Sequence, residues 1–297
     1  MNNSFKKGLI ITAAGAAIGA TGHYLLTKKM MQIAMDRVEP QDRNKGKERL
    51  AGSPEMIKIV EMVEEAALKL ESSGCEQVQI KAHDGVSLVG HWHSCQKTER
   101  IVVAMHGWRS SWSQDFGLIA DFWHDNNCSV LYAEQRGQNS SGGDHMSFGL
   151  LERYDCLDWI NWVNERMGTD FPVYLVGVSM GATSVLMASE LELPYNVCGI
   201  AADSAFTSPH AIWKHVSDNN LHIPYVLHKA EADRMCQKRI QVAADAASTT
   251  EALKRCTVPV FLIHGTDDNF VPVEMTYENY KSCASEKRLL IVPGADH

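Results

Sequence analysis

From residue 76 onward the chain alternates short apolar runs with longer stretches whose apolar residues recur at helical spacing. Gln77–Ala82 and Val86–His93 flank His83-Asp84-Gly85, and Asp-Gly between strand-like runs is a strong hairpin signal. Six further runs read as strands: Ile101–Met105, Ser129–Ala133, Val173–Val178, Val197–Ala202, Val258–Ile263 and Leu289–Val292. They are rich in Val, Ile and Leu and almost continuously apolar, which suits strands buried on both faces of a parallel sheet. Helical stretches lie between them: Phe116–His124; Leu150–Arg166, with Trp159, Ile160 and Val163 on one side; Ala182–Leu191, stopped before Pro194; and Val273–Cys283, opened by Pro272. Strand and helix in alternation predict right-handed crossovers and a doubly wound α/β fold with a mostly parallel eight-stranded sheet. Residues 206–253 break the rhythm with helical character and no convincing strand. An insertion there predicts a cap over the carboxyl ends of the strands, the edge where open α/β sheets bind ligands.

The N-terminal part follows different rules. Gly8–Leu26 carries no charge and is flanked by Lys6-Lys7 and Lys28-Lys29. A helix of that length rises about 28 Å, close to the hydrocarbon thickness of a bilayer. Residues 1–30 therefore read as a single-pass membrane anchor, with a cleaved signal peptide (a secreted protein) or a soluble apolar helix as alternatives. The Lys and Arg content of the two flanks favours a cytoplasmic enzyme domain, whereas a short basic tail before an apolar run resembles an export signal, so the membrane face stays open. Residues 31–75 read as linker and helix. Asp36–Gly52 is polar and charged, and Ser53-Pro54-Glu55 opens a helix carrying Met56, Ile59, Val60, Val63, Ala67 and Leu70, ended by Gly74. Residues 76–297 form the α/β domain.

Composition narrows the function classes. The 297 residues, 45% hydrophobic and 22% charged, suit a globular chain with a sizeable core. A net charge of -8 without a basic block argues against nucleic acid as a partner. Thirteen histidines invite a metal, but none has a ligand-motif spacing, and no metal or cofactor is expected. The eight cysteines are scattered with no C-x-x-C pair and read as free thiols.

Gly177-Val178-Ser179-Met180-Gly181 matches G-x-S-x-G, with the strand Val173–Val178 leading in and a helix leading out. A sharp strand-to-helix turn exposes the serine hydroxyl, and the helix N-terminus favours developing negative charge. A serine needs a base to remove its proton and a carboxylate to orient that base. In this strand–turn–helix context the order is Ser, acid, His, each on a loop after a strand. The loop after Val258–Ile263 offers Asp267 or Asp268, and the loop after Leu289–Val292 offers His297. An oxyanion hole needs two backbone N–H groups. One would come from Met180; the other would come from Trp108, with Gly107 and Arg109 as neighbouring options, in the loop His106-Gly107-Trp108-Arg109. His106 and Asp203 read as structural.

Over Glu76–His297 the chain resembles bacterial α/β-hydrolases of the serine-aminopeptidase-like group, some of them membrane-anchored. The matching residues are His106-Gly107-Trp108, Arg136-Gly137 with Ser141-Gly142-Gly143, Gly177–Gly181, His264-Gly265 with Asp268 and Val271-Pro272, and Pro293-Gly294-Ala295 with His297. The resemblance implies the α/β-hydrolase fold with a cap, and hydrolysis of an ester, thioester or amide without a cofactor. It also selects Asp268, since the family's acid stands three residues before Val-Pro. Similar proteins continue past the histidine into a final helix that covers the sheet. A free carboxylate on the terminal His297 is expected to loosen its loop, and a chain extended by that helix is expected to turn over esters faster.

Trp108, Trp112, Met180, Phe206 and Trp213 are candidates to line an apolar acyl pocket. The leading function is a serine esterase acting on a small-molecule ester. A serine aminopeptidase acting on short peptides is the alternative, and it would need a cap carboxylate such as Glu231 or Asp233 to hold the amine. A non-catalytic binding protein on the same fold is the third reading.

Overall fold

A computed structural model describes residues 21–37 and 54–297. The described part of helix α1 covers 21–35. Then follow α2 (Pro54–Glu71), β1 (Glu76–Lys81), β2 (Ser87–His93), β3 (Arg100–Met105), α3 (Trp112–Asp125), β4 (Cys128–Ala133), α4 (Glu152–Met167), β5 (Val173–Val178), α5 (Met180–Ala188) and β6 (Val197–Asp203). The chain continues through α6 (Pro209–His215), a π-helical turn (Val216–Asn220), α7 (Tyr225–Ile240), α8 (Thr249–Leu253), β7 (Val260–Gly265), α9 (Val273–Ser282) and β8 (Lys287–Val292). Strand order is β1-β2-β4-β3-β5-β6-β7-β8. β2 pairs antiparallel with β1 and β4, and all other neighbours are parallel. This is the α/β-hydrolase fold, with every expected strand present and the expected cap region helical.

Each face of the sheet has its own apolar layer. Leu131, Val103, Leu175, Ile200 and Leu262 pack with Trp159, Ile160 and Val163 of α4 and with Val185 and Leu186 of α5. On the other face Val102, Ala104, Val130 and Tyr132 meet the buried stripe Trp112, Phe116, Ala120 and Trp123 of α3, with Leu70 of α2 behind it. All nine residues of α5 are buried. Burying a Val or Leu contributes about 1.5–3 kcal/mol before chain entropy is subtracted, so this short helix, and the turn before it, are held rigidly.

The N-terminal segments are built into the molecule more closely than the sequence predicts. Residues 21–26, the end of the expected span, begin a helix whose Thr27, Met31 and Met35 are buried beneath the cap. Asp36 and Arg37 are docked, contrary to the expected linker. The Met146 amide donates to Met35 O at 2.7 Å, Arg239 Nε donates to Asp36 Oδ1 at 2.6 Å, and the Arg37 amide donates to Asp144 O at 2.8 Å. A period of four along 27, 31 and 35 gives α1 one inward face, which outweighs the polarity of the residues that follow. Among the described residues no helix is long and apolar enough to cross a membrane. Residues 8–20 of the expected span, the rest of the expected linker and the expected cap Ser53 lie outside the described residues.

Candidate active site

The turn between β5 and α5 carries Ser179 at φ 53°, ψ -115°. That is a costly conformation for a residue with a Cβ, of order 1–3 kcal/mol. It persists because both sides are fixed: the Ser179 amide donates to Asp203 O at 2.8 Å, and Ser179 O accepts from the Thr183 amide at 3.0 Å. The flanking glycines are sterically required. A Cβ on Gly177 would lie 2.4 Å from the Gly181 backbone, and one on Gly181 would lie 1.9 Å from Met105 O. Gly181→Ala is therefore expected to destabilise the protein by about 3 kcal/mol or more, read as a fall in Tm. A Tm unchanged from wild type would show that the turn can relax.

Two loops bring a base and an acid to this serine. His297 Nε2 lies 3.0 Å from Ser179 Oγ, and His297 Nδ1 lies 2.7 Å from Asp268 Oδ2. A carboxylate only accepts, so Nδ1 carries the proton and Nε2 is free to accept from the hydroxyl. Asp268 Oδ2 also lies 3.1 Å from His264 Nε2, and Oδ1 accepts from the amides of Phe270 at 2.9 Å and Val271 at 2.8 Å. Burial alone would push this carboxyl up. The hydrogen bonds from His264, His297 and the Val271 amide outweigh it and hold the carboxyl well below the usual range. His264 is itself fixed, with Nδ1 2.6 Å from Thr276 Oγ1. Asp267 is exposed and accepts from Thr266 Oγ1 at 2.7 Å, so the geometry separates the two aspartates.

The loop after β3 faces the serine from the other side. The Gly107 amide donates to Asp115 Oδ2 at 2.6 Å and the Arg109 amide to Gln138 Oε1 at 2.5 Å. These bonds engage the two alternatives named from sequence and leave the Trp108 amide between them. Buried His106 supports the loop: Nδ1 donates to Gly107 O at 2.8 Å while Nε2 accepts from the Gln135 amide at 3.1 Å. Met180 is the first residue of α5, where an amide has no intrahelical acceptor. The arrangement offers a hydroxyl, a base oriented by an anion, and backbone donors beside them, the parts that acyl transfer requires.

Next to Ser179 lies an apolar cavity of about 180 Å³ between α1, the cap and the loop after β3. Of the residues named from sequence, Trp108, Phe206 and Trp213 line it, together with Phe148 and Phe270. Trp112 does not. It opens the inward stripe of α3, stacks on His91 at a ring distance of 4.1 Å, and belongs to the core under the sheet. The side chain of Met180 is wholly buried in the cap core. Glu231 pairs with Arg234 at 3.0 Å and Asp233 with His210 at 2.8 Å; neither lines the cavity. For a metal, the ligand atoms of His83, Asp155 and Asp158 lie within 4.8 Å of one another. Asp155 is already held by Arg136, Nε to Oδ2 at 2.7 Å, and a guanidinium beside the carboxylate opposes a cation.

Sequence reasoning missed three contributors. Asp115 lies in the first turn of α3, Gln138 sits inside the Arg136–Gly143 block, and α1 roofs the cavity with Thr27, Met30, Met31, Ile33 and Ala34. The spacing 27, 30, 31, 34 is a readable helical face, but its partners lie far away in the chain.

Two solved structures share the fold. The esterase Pf2001 of Pyrococcus furiosus superposes with a TM-score of 0.60 at 23% identity, over 77% of this chain and 86% of that one. Est1E from Butyrivibrio proteoclasticus, with ferulic acid bound, gives 0.58 at 18% identity, over 74% and 90%. The uncharacterized protein YqkD of Bacillus subtilis is 23% identical over 218 residues, 72% of this chain and 70% of its own. The sequence pattern described as "Serine aminopeptidase, S33" matches residues 96–297. With that match over more than half its length, on an α/β-hydrolase fold, the chain belongs to the serine aminopeptidase S33 family of hydrolases.

Proposed function

We propose that this hydrolase cleaves a small-molecule ester through an acyl-enzyme formed on Ser179. The observation that carries the reading is the continuous relay from Ser179 Oγ to His297 Nε2, 3.0 Å, and from Nδ1 to Asp268, 2.7 Å. His297 takes the hydroxyl proton as Oγ attacks the ester carbonyl. The carbonyl oxygen becomes an oxyanion facing the Trp108 and Met180 amides, where losing one donor costs about 2.7–4 kcal/mol. The carbon–oxygen bond to the leaving group then breaks, and the alcohol departs with the proton held on Nε2. Water repeats the sequence on the acyl-enzyme and releases the acid, restoring Ser179. Asp268 stays ionised throughout and holds the ring in the working tautomer.

An ester is preferred over a peptide because, among the described residues, no carboxylate lines the cavity to hold an amine, the two cap acids being paired elsewhere. Pf2001 of Pyrococcus furiosus, which shares the fold, is an esterase, in line with this choice. A panel of nitrophenyl esters and aminoacyl nitroanilides tests it: kcat/KM is expected to be at least ~100-fold higher for the best ester, the scale on which a site lacking a needed polar partner rejects a ligand. Faster anilide cleavage would reverse the assignment in favour of a peptidase.

A further inference from the structure

Among the described residues, the hydroxyls of Thr27 and Ser217 that line the cavity beside Ser179 are already engaged, and Trp213 Nε1 is a buried donor without a partner. Thr27 Oγ1 lies 2.6 Å from His228 Nδ1 and 2.9 Å from His23 O, and Ser217 Oγ donates to Ile223 O at 2.6 Å. The His228 ring is stacked on His23 at 4.3 Å, and burial pushes it towards its neutral form. Among the described residues the lining is mainly apolar, so a ligand in this space uses shape and apolar contact over most of its length, with the Ser179 hydroxyl at one side.

The cavity also has a direction. At one end Trp108 Nε1 donates to Ala34 O at 2.8 Å, which fixes the last turn of α1 beside the oxyanion loop. At the other end the contact of Thr27 with His228 fixes α1 against α7. Between them Met30 and Met31 line the cavity, as does Ala232 of α7. Seven residues of helix separate Thr27 from Ala34, a span of about 10 Å at ~1.5 Å per residue. An extended chain advances about 3.3–3.6 Å for every three single bonds, so that span takes up roughly eight or nine bonds. Flexible methionines suit an unbranched chain that has to be followed rather than recognised.

We propose that the substrate is an ester of an unbranched aliphatic acid of medium chain length, about eight to ten carbons, with the chain lying between α1 and the cap. Helix α1, which lies outside the matched family region 96–297, is then the element that sets chain length, with Met30 and Ala232 lining the space the chain occupies. This rests on the assignment of Ser179 as nucleophile. A C-terminal tie of α1 to Trp108 also couples the filled pocket to the loop whose amide faces the oxyanion.

The test is the full chain with nitrophenyl esters from acetate to hexadecanoate, in wild type and in two variants that fill the cavity from its lining, Ala232→Phe and Met30→Trp. Thermal melting checks that each variant is folded, and Met30, being only partly buried, keeps the test open should Ala232→Phe unfold. In wild type, kcat/KM is expected to rise at least about ten-fold from acetate to a maximum at octanoate or decanoate and then fall. Each filling variant is expected to lower the decanoate-to-acetate ratio at least about ten-fold. A maximum at acetate, or ratios that neither folded variant changes, overturns the chain-length proposal while leaving Ser179 as nucleophile. Absence of any ester turnover, together with failure of Ser179 to react with a fluorophosphonate, overturns both.

Discussion

Ser179→Ala is expected to lower kcat on the best ester by about 10⁴-fold or more, with the fold unchanged. Among the described residues that line the cavity, Ser179 carries the hydroxyl that lies 3.0 Å from His297 Nε2, and on the proposed mechanism it is the atom that becomes acylated. His297→Ala should cost a similar factor, because the serine cannot shed its proton without Nε2 at 3.0 Å. The double variant should be scarcely worse than either single one, since members of one relay act as a unit. Any residual rate would come from the Trp108 and Met180 amides, which both variants keep. Two losses that multiplied would mean that serine and histidine act separately, and the relay would be the wrong description.

Asp268→Asn is the second large effect, about 10⁴-fold in kcat. The amide preserves size and the contact with His297, but it can present an N–H where a pure acceptor stood. The ring then turns to the other tautomer, leaving no lone pair on Nε2 for the serine. The same residue gives a signed stability prediction. Its carboxyl is held below the ordinary value in the fold, so its stabilisation is complete above the unfolded pKa of about 4. That contribution is lost only as pH falls through the lower folded value. The gap in Tm between wild type and Asp268→Asn is expected to stay constant from about pH 5 upward and to close only in stronger acid. A gap that closed between about pH 5 and 7 would mean that burial had won over the hydrogen bonds of His264, His297 and Val271.

The strands were legible because a buried parallel sheet demands nearly continuous Val, Ile and Leu. The site was legible where the chemistry is local, in a glycine-flanked serine between a strand and a helix. The aspartate pair shows the limit. The strand-and-loop pattern leaves Asp267 and Asp268 equivalent, and only the resemblance, through the spacing to Val271-Pro272, picks Asp268; in the structure Asp268 faces His264 and His297 while Asp267 faces Thr266. Trp112 follows the oxyanion loop and reads as a pocket residue, yet the stripe Trp112, Phe116, Ala120 and Trp123 is the core face of α3. Helix α1 was the largest surprise. Its residues 21–26 end the expected apolar span and 31–35 fall in the segment read as linker and helix, whereas the ties of Ala34, Met35 and the adjoining Asp36 to Trp108, Met146 and Arg239 come from residues more than 70 positions away. Such contacts leave no local trace.

The central claim is that Ser179 is the nucleophile, and it can be read directly by mass. A fluorophosphonate incubated with the wild-type chain is expected to add one equivalent, with peptide mapping placing the adduct on Ser179 and Ser179→Ala staying unmodified. Labelling that survives in Ser179→Ala, or that maps to another residue, would contradict the account.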